Sequence, residues 1–219
     1  MIPLRDTVRS RNFPVVTVTL IALNILIFLY EVSLPPGVLD DLARTFGVVP
    51  ARELPALLHH PFSLATYVPF LTAMFLHGGW FHVLGNMLYL WIFGDNVEDK
   101  LGRARFLFFY LLTGFAGSLA HVLTSPGTTI PTIGASGAVA GVLGAYFVSF
   151  PRARVLTLLP IFFFVTLVEL PAVLFLFLWF GMQLLSGVAS LAIPGQTVAW
   201  WAHVGGFLSG ALLIQFFRR

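Results

Sequence analysis

The sequence predicts an all-α membrane protein: one bundle of six transmembrane helices with a large interfacial first external loop. Three observations lead there. The 219-residue chain is 58% hydrophobic and only 10% charged, with a mean hydropathy of +0.92, whereas soluble domains carry about 25% charged residues. The apolar residues come in runs long enough to cross a bilayer. The basic residues flank those runs, and six spans put ten of the twelve Lys and Arg on one side, as the positive-inside rule requires. The length suits a single domain over residues 1–219.

Spans are expected at about 14–33, 81–97, 105–124, 136–150, 170–191 and 200–217. The first follows Arg5, Arg9 and Arg11, and no small-residue cleavage site comes after it, so it reads as an uncleaved helix rather than a signal peptide. Lys100, Arg103 and Arg105 lie between spans two and three, Arg152 and Arg154 between four and five, and Arg218 and Arg219 at the end. Only Arg44 and Arg52 fall opposite, which puts both termini in the cytoplasm. The loop from Val32 to Gly79 mixes Asp40, Asp41, Glu53, His59 and His60 with the apolar run Pro61 to Leu76. Reading that run, or Val155 to Val168, as an extra span would split the basic clusters between two sides. Both are expected to be membrane-surface or re-entrant segments.

The fourth span is short. From Ser136 to Phe150 it rises only about 22 Å, against a hydrocarbon core of about 30 Å. Anchored near Arg152, it stops short of the far surface, and the loop Ser125 to Pro131 must dip inward to meet it. Non-helical backbone at depth survives only where it is buried in protein or lines water. A wet cavity with Ser136 at its floor is expected, open to the non-cytoplasmic side.

Spans two, four and six start from that same side, so His82, Asn86, Ser136 and His203 share one depth. His82 and Asn86 are four apart and share a helix face. Gly137, Gly141 and Gly144 line span four, and Gly206 and Gly210 line span six. Small residues let helices pack near backbone contact in lipid. A hydroxyl and an imidazole brought together in this way suit a nucleophile, Ser136, and its base, His203. Asn86, His82 and the backbone N–H groups at Ser136 suit an oxyanion, aided by the positive end of the helix. No acid is well placed as a third member, so a Ser–His dyad is expected.

Each residue has a plainer reading. Gly-x-Ser-Gly alone fits a packing serine, and His203, His82 and Asn86 singly fit interhelical hydrogen bonding. His77 and His82, five apart and without a nearby carboxylate, do not make a metal site. No metal or cofactor is expected. His59, His60 and His121 read as structural. The absence of cysteine excludes disulfide and thiolate chemistry. The pI of 9.7 reflects charge at span ends, not a nucleic-acid partner.

Three motifs resemble the rhomboid intramembrane serine proteases: His77-Gly-Gly-Trp80-Phe-His82-Val-Leu-Gly-Asn86, Gly134-Ala-Ser136-Gly137, and Ala202-His203-Val-Gly-Gly206. Phe93 to Asp99 with Gly102 resembles the end of the second helix in prokaryotic members. The resemblance implies a six-helix rhomboid-like core, with Ser136 as nucleophile, His203 as base, and His82 and Asn86 on the oxyanion side. It implies transmembrane protein substrates, cleaved in or near their single spans. It also implies lateral access beside spans two and five, with the loop Ala192 to Ala199 as a mobile cap. The setting it implies is a prokaryotic cell (inner) membrane, since the sequence shows no extra helix or long transit segment. Two features depart from the family pattern: the first external loop has no Trp-Arg pair, and Ala140 stands where some members carry a Tyr beneath the histidine. The rival functions are a catalytically inactive client-binding or trafficking relative and, behind it, a channel or transporter.

Overall fold

Each of the six apolar runs folds as a helix. The computed structural model describes residues 1–161, 164–192 and 198–217. The long helices are α1 (Val15–Glu31), α5 (Trp80–Leu101), α6 (Arg103–Thr124), α7 (Ser136–Ser149), α8 (Ala172–Ser190) and α9 (Trp200–Phe217). Of the described helices, α6, α8 and α9 are long and apolar enough to cross a membrane, while α1 and α7 are apolar but shorter. On α1 the buried residues Thr17, Leu20, Asn24, Phe28 and Glu31 recur every three or four positions, which is one helix face turned inward. On α7 the ten residues from Gly137 to Tyr146 are all buried, so this short helix is the axis of the bundle.

Helix directions follow from the contacts. Tyr146, late in α7, meets Asp6 and Phe93, and Asn96, late in α5, also meets Asp6. Phe217, at the end of α9, stacks on Phe108 near the start of α6. Helices α5, α7 and α9 therefore run parallel, with α6 against them.

The first loop is more ordered than its mixed composition suggests. It contains α2 (Pro36–Phe46), α3 (Pro50–His59) and α4 (Leu64–Thr72), followed by a short 3₁₀ turn over Ala73–Phe75. Prolines at the first turns of α2 and α3 suit a position that needs no N–H. Arg52 staples the loop by donating to the carbonyl oxygens of Arg44 (2.5 Å) and Gly47 (2.7 Å) and to Glu53 Oε1 (2.8 Å). Within the run Pro61 to Leu76, α4 packs Phe70 onto Phe115 of α6 at 4.9 Å between ring centroids.

One expectation needs correction. The protein is not all-α, and the described residues of the segment 155–168, expected at the membrane surface or re-entrant, are not helical. Instead β1 (Ile2–Asp6), β2 (Arg154–Ile161) and β3 (Phe164–Pro171) make an antiparallel sheet in the order β1-β2-β3. It lies at the end of the bundle opposite Ser136. The physical cause is β-branched alternation: Val155 and Thr157 turn one buried face inward, and strand pairing satisfies a backbone too short-run for a spanning helix. The N-terminal strand completes the sheet, locked where Thr7 N–H donates to the Arg154 carbonyl and Arg154 N–H to Thr7 Oγ1, each at 3.0 Å.

A buried polar network ties this end together. Asp6 accepts from the Tyr146 hydroxyl and from Asn96 Nδ2. The Glu98 carboxylate accepts the N–H of Val16 (3.0 Å) and of Thr17 (2.8 Å), and the Thr17 hydroxyl. It thereby caps the first turn of α1, where helix N–H groups lack partners.

Candidate active site

Backbone contact between α7 and α9 sets the site. A Cβ at Gly206 would lie 2.1 Å from the Gly137 carbonyl oxygen, one at Gly210 1.9 Å from that of Gly141, and one at Gly144 2.0 Å from that of Phe207. Gly141 is also hemmed in from α6, where its Cβ would meet Thr113 Oγ1 at 2.2 Å. Gly137 itself has more room, with its nearest contact at 3.6 Å. It matters because its carbonyl receives Gly206.

This approach brings Ser136, the first residue of α7, to His203 in the first turn of α9. Ser136 Oγ lies 2.9 Å from His203 Nε2. The other ring nitrogen, Nδ1, lies 2.8 Å from Gln183 Oε1 on α8. Trp179 and Trp200 flank the ring at 6.2 and 6.0 Å between centroids.

His82 and Asn86 stand on one face of α5 and reach the loop that leads into α7. Gly134 has φ +126°, and a Cβ there would strike His82 Nε2 at 2.6 Å. Only glycine meets both demands. The N–H of Gly134 donates to the Ala73 carbonyl at 2.8 Å, which holds the loop down. Asn86 Nδ2 contacts His77 Nε2 at 3.1 Å, and the Ala135 N–H points at the same nitrogen from 3.5 Å. His77 N–H in turn donates to the Glu31 carboxylate. His77 thus orients Asn86 and tethers the loop. The sequence offered it as the first residue of a family-like motif and as a rejected metal ligand, and its place before α5, outside any helical face, hid this role.

Ser136, His203, His82, Asn86 and Gln183 line one cavity of about 610 Å³. Ser136 is on its wall rather than at its floor, contrary to expectation. The cavity continues past it to Val139 and Leu143, one and two turns further along α7. Tyr89 of α5 and Trp179 of α8 also line it, and their rings meet at 6.4 Å across the seam between those helices. Of the expected cap, residues 193–197 lie outside the described residues.

A family model described as the Rhomboid domain matches residues 65–219, a stretch that contains Ser136, His203, His82, Asn86 and Gln183. The chain belongs to the rhomboid family. It is 36% identical over 142 residues to RHOMBOID-like protein 1 of Arabidopsis thaliana, covering 65% of this chain and 32% of that protein. It is 47% identical over 75 residues to Rhomboid protease GluP of Bacillus subtilis, covering 34% and 14%. It is 29% identical over 165 residues to the mitochondrial Presenilin-associated rhomboid-like protein A of Danio rerio, covering 72% and 39%. The matched regions thus take in well under half the length of these relatives. A rhomboid domain together with helices long and apolar enough to cross a bilayer makes this an integral membrane protein.

Proposed function

We propose that this rhomboid is an intramembrane serine endopeptidase that cleaves the transmembrane segments of single-pass membrane proteins. The observation that carries the reading is the 2.9 Å contact between Ser136 Oγ and His203 Nε2 at a cavity large enough for a peptide segment. The Ser136 oxygen attacks the scissile carbonyl carbon as its proton passes to His203 Nε2. The resulting oxyanion takes hydrogen bonds from the Asn86 amide, the His82 ring and the first N–H groups of α7, which lack intrahelical acceptors. Protonated His203 then gives its proton to the departing amine. Water, with His203 again as base, cleaves the acyl-enzyme and restores the serine.

In this reading α1, α5, α6, α7, α8 and α9 are six spans. The sheet end, with its arginines, faces the cytoplasm together with both termini, and the cavity opens on the other side. A prokaryotic inner membrane suits that arrangement. A substrate reaches the cavity laterally through the seam between α5 and α8, with the Ala192 to Ala199 loop as its cap. One relative carries the name protease, which supports the reading over an inactive relative. The retained serine and histidine support it equally.

The test is covalent labelling with a fluorophosphonate in detergent micelles, followed by cleavage of a reconstituted single-span substrate. Wild-type protein should label, and Ser136→Ala and His203→Ala should each abolish labelling and cleavage without loss of thermal stability. Labelling of Ser136→Ala at the wild-type rate would overturn the nucleophile. A wild-type protein that neither labels nor cuts would favour the inactive client-binding relative.

A further inference from the structure

We propose that Gln183 is the positioning residue for His203, holding the imidazole in the tautomer whose Nε2 lone pair faces Ser136. This rests on the reading of Ser136 and His203 as nucleophile and base. Gln183 is the one strongly polar side chain in the apolar run of α8, and it is buried, at 7% exposure. A primary amide in such a setting survives only when its donors and acceptor find partners.

Those partners fix its orientation. Gln183 Nε2 donates to the Trp179 carbonyl oxygen at 3.3 Å, one turn back on the same helix. That oxygen can only accept, so the amide NH₂ must face it and Oε1 must face His203. Oε1 lies 2.8 Å from His203 Nδ1. An amide oxygen also can only accept, so Nδ1 carries the proton. Neutral imidazole has one proton, which leaves Nε2 bare at 2.9 Å from Ser136 Oγ. The chain of bonds runs from a main-chain carbonyl on α8 to the serine hydroxyl with every donor and acceptor matched. A base whose other nitrogen is held in this way keeps the correct tautomer and ring angle, the task an acidic third member performs elsewhere. Here a neutral amide performs it. No carboxylate faces the ring among the described residues. The titratable groups that act on it are His82 from α5 and His121 from α6.

The experiment compares fluorophosphonate labelling rates against pH for wild type, Gln183→Met and Gln183→Glu, with Ser136→Ala as the blank. Methionine keeps the length and volume but cannot accept the N–H. Glutamate keeps the acceptor and adds a charge that favours imidazolium. Gln183→Met should label at least about tenfold more slowly. Gln183→Glu should recover much of the rate, with the midpoint of its acid limb moved upward by about a pH unit or more. Nitrogen NMR of selectively labelled histidine, with His203 identified by its loss in His203→Ala, should show a protonated Nδ1 in wild type and a mixture in Gln183→Met. Gln183→Met labelling at the wild-type rate and midpoint would overturn the proposal. So would a wild-type His203 protonated on Nε2, a readout that holds even if a variant fails to fold. If Ser136→Ala labels like wild type, the serine assignment fails instead, and the NMR result still decides the tautomer.

Discussion

Gly206→Ala should disarm the site without touching a reacting atom. The added methyl would begin 2.1 Å from the Gly137 carbonyl oxygen, and ordinary contact starts at 3.4 Å. The obstacle is main chain on a buried helix, with no rotamer to turn aside. Helix α9 must therefore retreat by about 1.3 Å at this level. His203 sits one turn before Gly206, and Ser136 is covalently next to Gly137. If the retreat reaches them undiminished, their 2.9 Å contact opens to about 4.2 Å, beyond hydrogen-bond reach. A displacement of about 1 Å at a reacting pair costs on the order of a hundredfold in rate, and overpacking a tight core costs about 1–3 kcal/mol. Gly181→Ala is the control, because nothing lies within 4 Å of its Cβ position. It should leave labelling unchanged and slightly raise Tm, since alanine favours helix by up to about 1 kcal/mol. The assay is fluorophosphonate labelling rate alongside Tm in the same detergent. Gly206→Ala labelling at the Gly181→Ala rate would refute the idea that backbone contact sets the Ser–His distance.

Two further outcomes follow from the opposite end of the bundle. Glu98→Ala leaves the N–H groups of Val16 and Thr17 without their acceptor. It should lower stability by about 1–3 kcal/mol for each donor left buried and unpaired, and an unchanged Tm would count against the cap. Asp6 has its pKa raised from 3.8 to about 6, chiefly by burial and further by the Asp95 charge, with the Tyr146 hydrogen bond pulling the other way. A carboxyl raised in this way binds its proton more tightly when the strand is docked, so docking is firmest at low pH and weakens as pH rises from about 4 to about 6. Asp6→Asn should remove that dependence. Its Tm should exceed that of wild type at pH 7 to 8 and match it near pH 4, and a difference constant across that range would exclude the linkage.

The helices and the residues that meet at the cavity were legible because they depend on local spacing. Apolar runs with basic flanks mark the helices, and small residues at every third or fourth position announce close approach. Ser136, His203, His82 and Asn86 stand at the starts of helices that run the same way, so parity of direction alone places them at one depth. Gln183 was not legible. It sits midway along an apolar helix, and whether it faces His203 or lipid depends on the rotation of α8, which no local pattern fixes. The sheet was missed for a related reason. Val155 to Val168 is apolar enough to suggest membrane contact, and of its two pairings only that of β2 with β3 is local, while the third strand, Ile2–Asp6, lies about 150 residues away. The role of His77 was hidden because its partners Glu31 and Asn86 come from two different helices.

His203 has two neighbours of unequal stiffness. On one side α9 is clamped to α7 through main-chain atoms, so the gap to Ser136 is as rigid as the backbone itself. On the other, α8 meets α5 through aromatic rings, Tyr89 and Phe93 against Phe175 and Trp179 at 6.3–6.4 Å, which slide more easily than interlocked backbones. Sideways travel of α8 would carry Gln183 away and release the imidazole proton while the serine stays in place. Anything that parts those two helices would thus loosen the grip on the imidazole, and the grip would return only as α8 swings home.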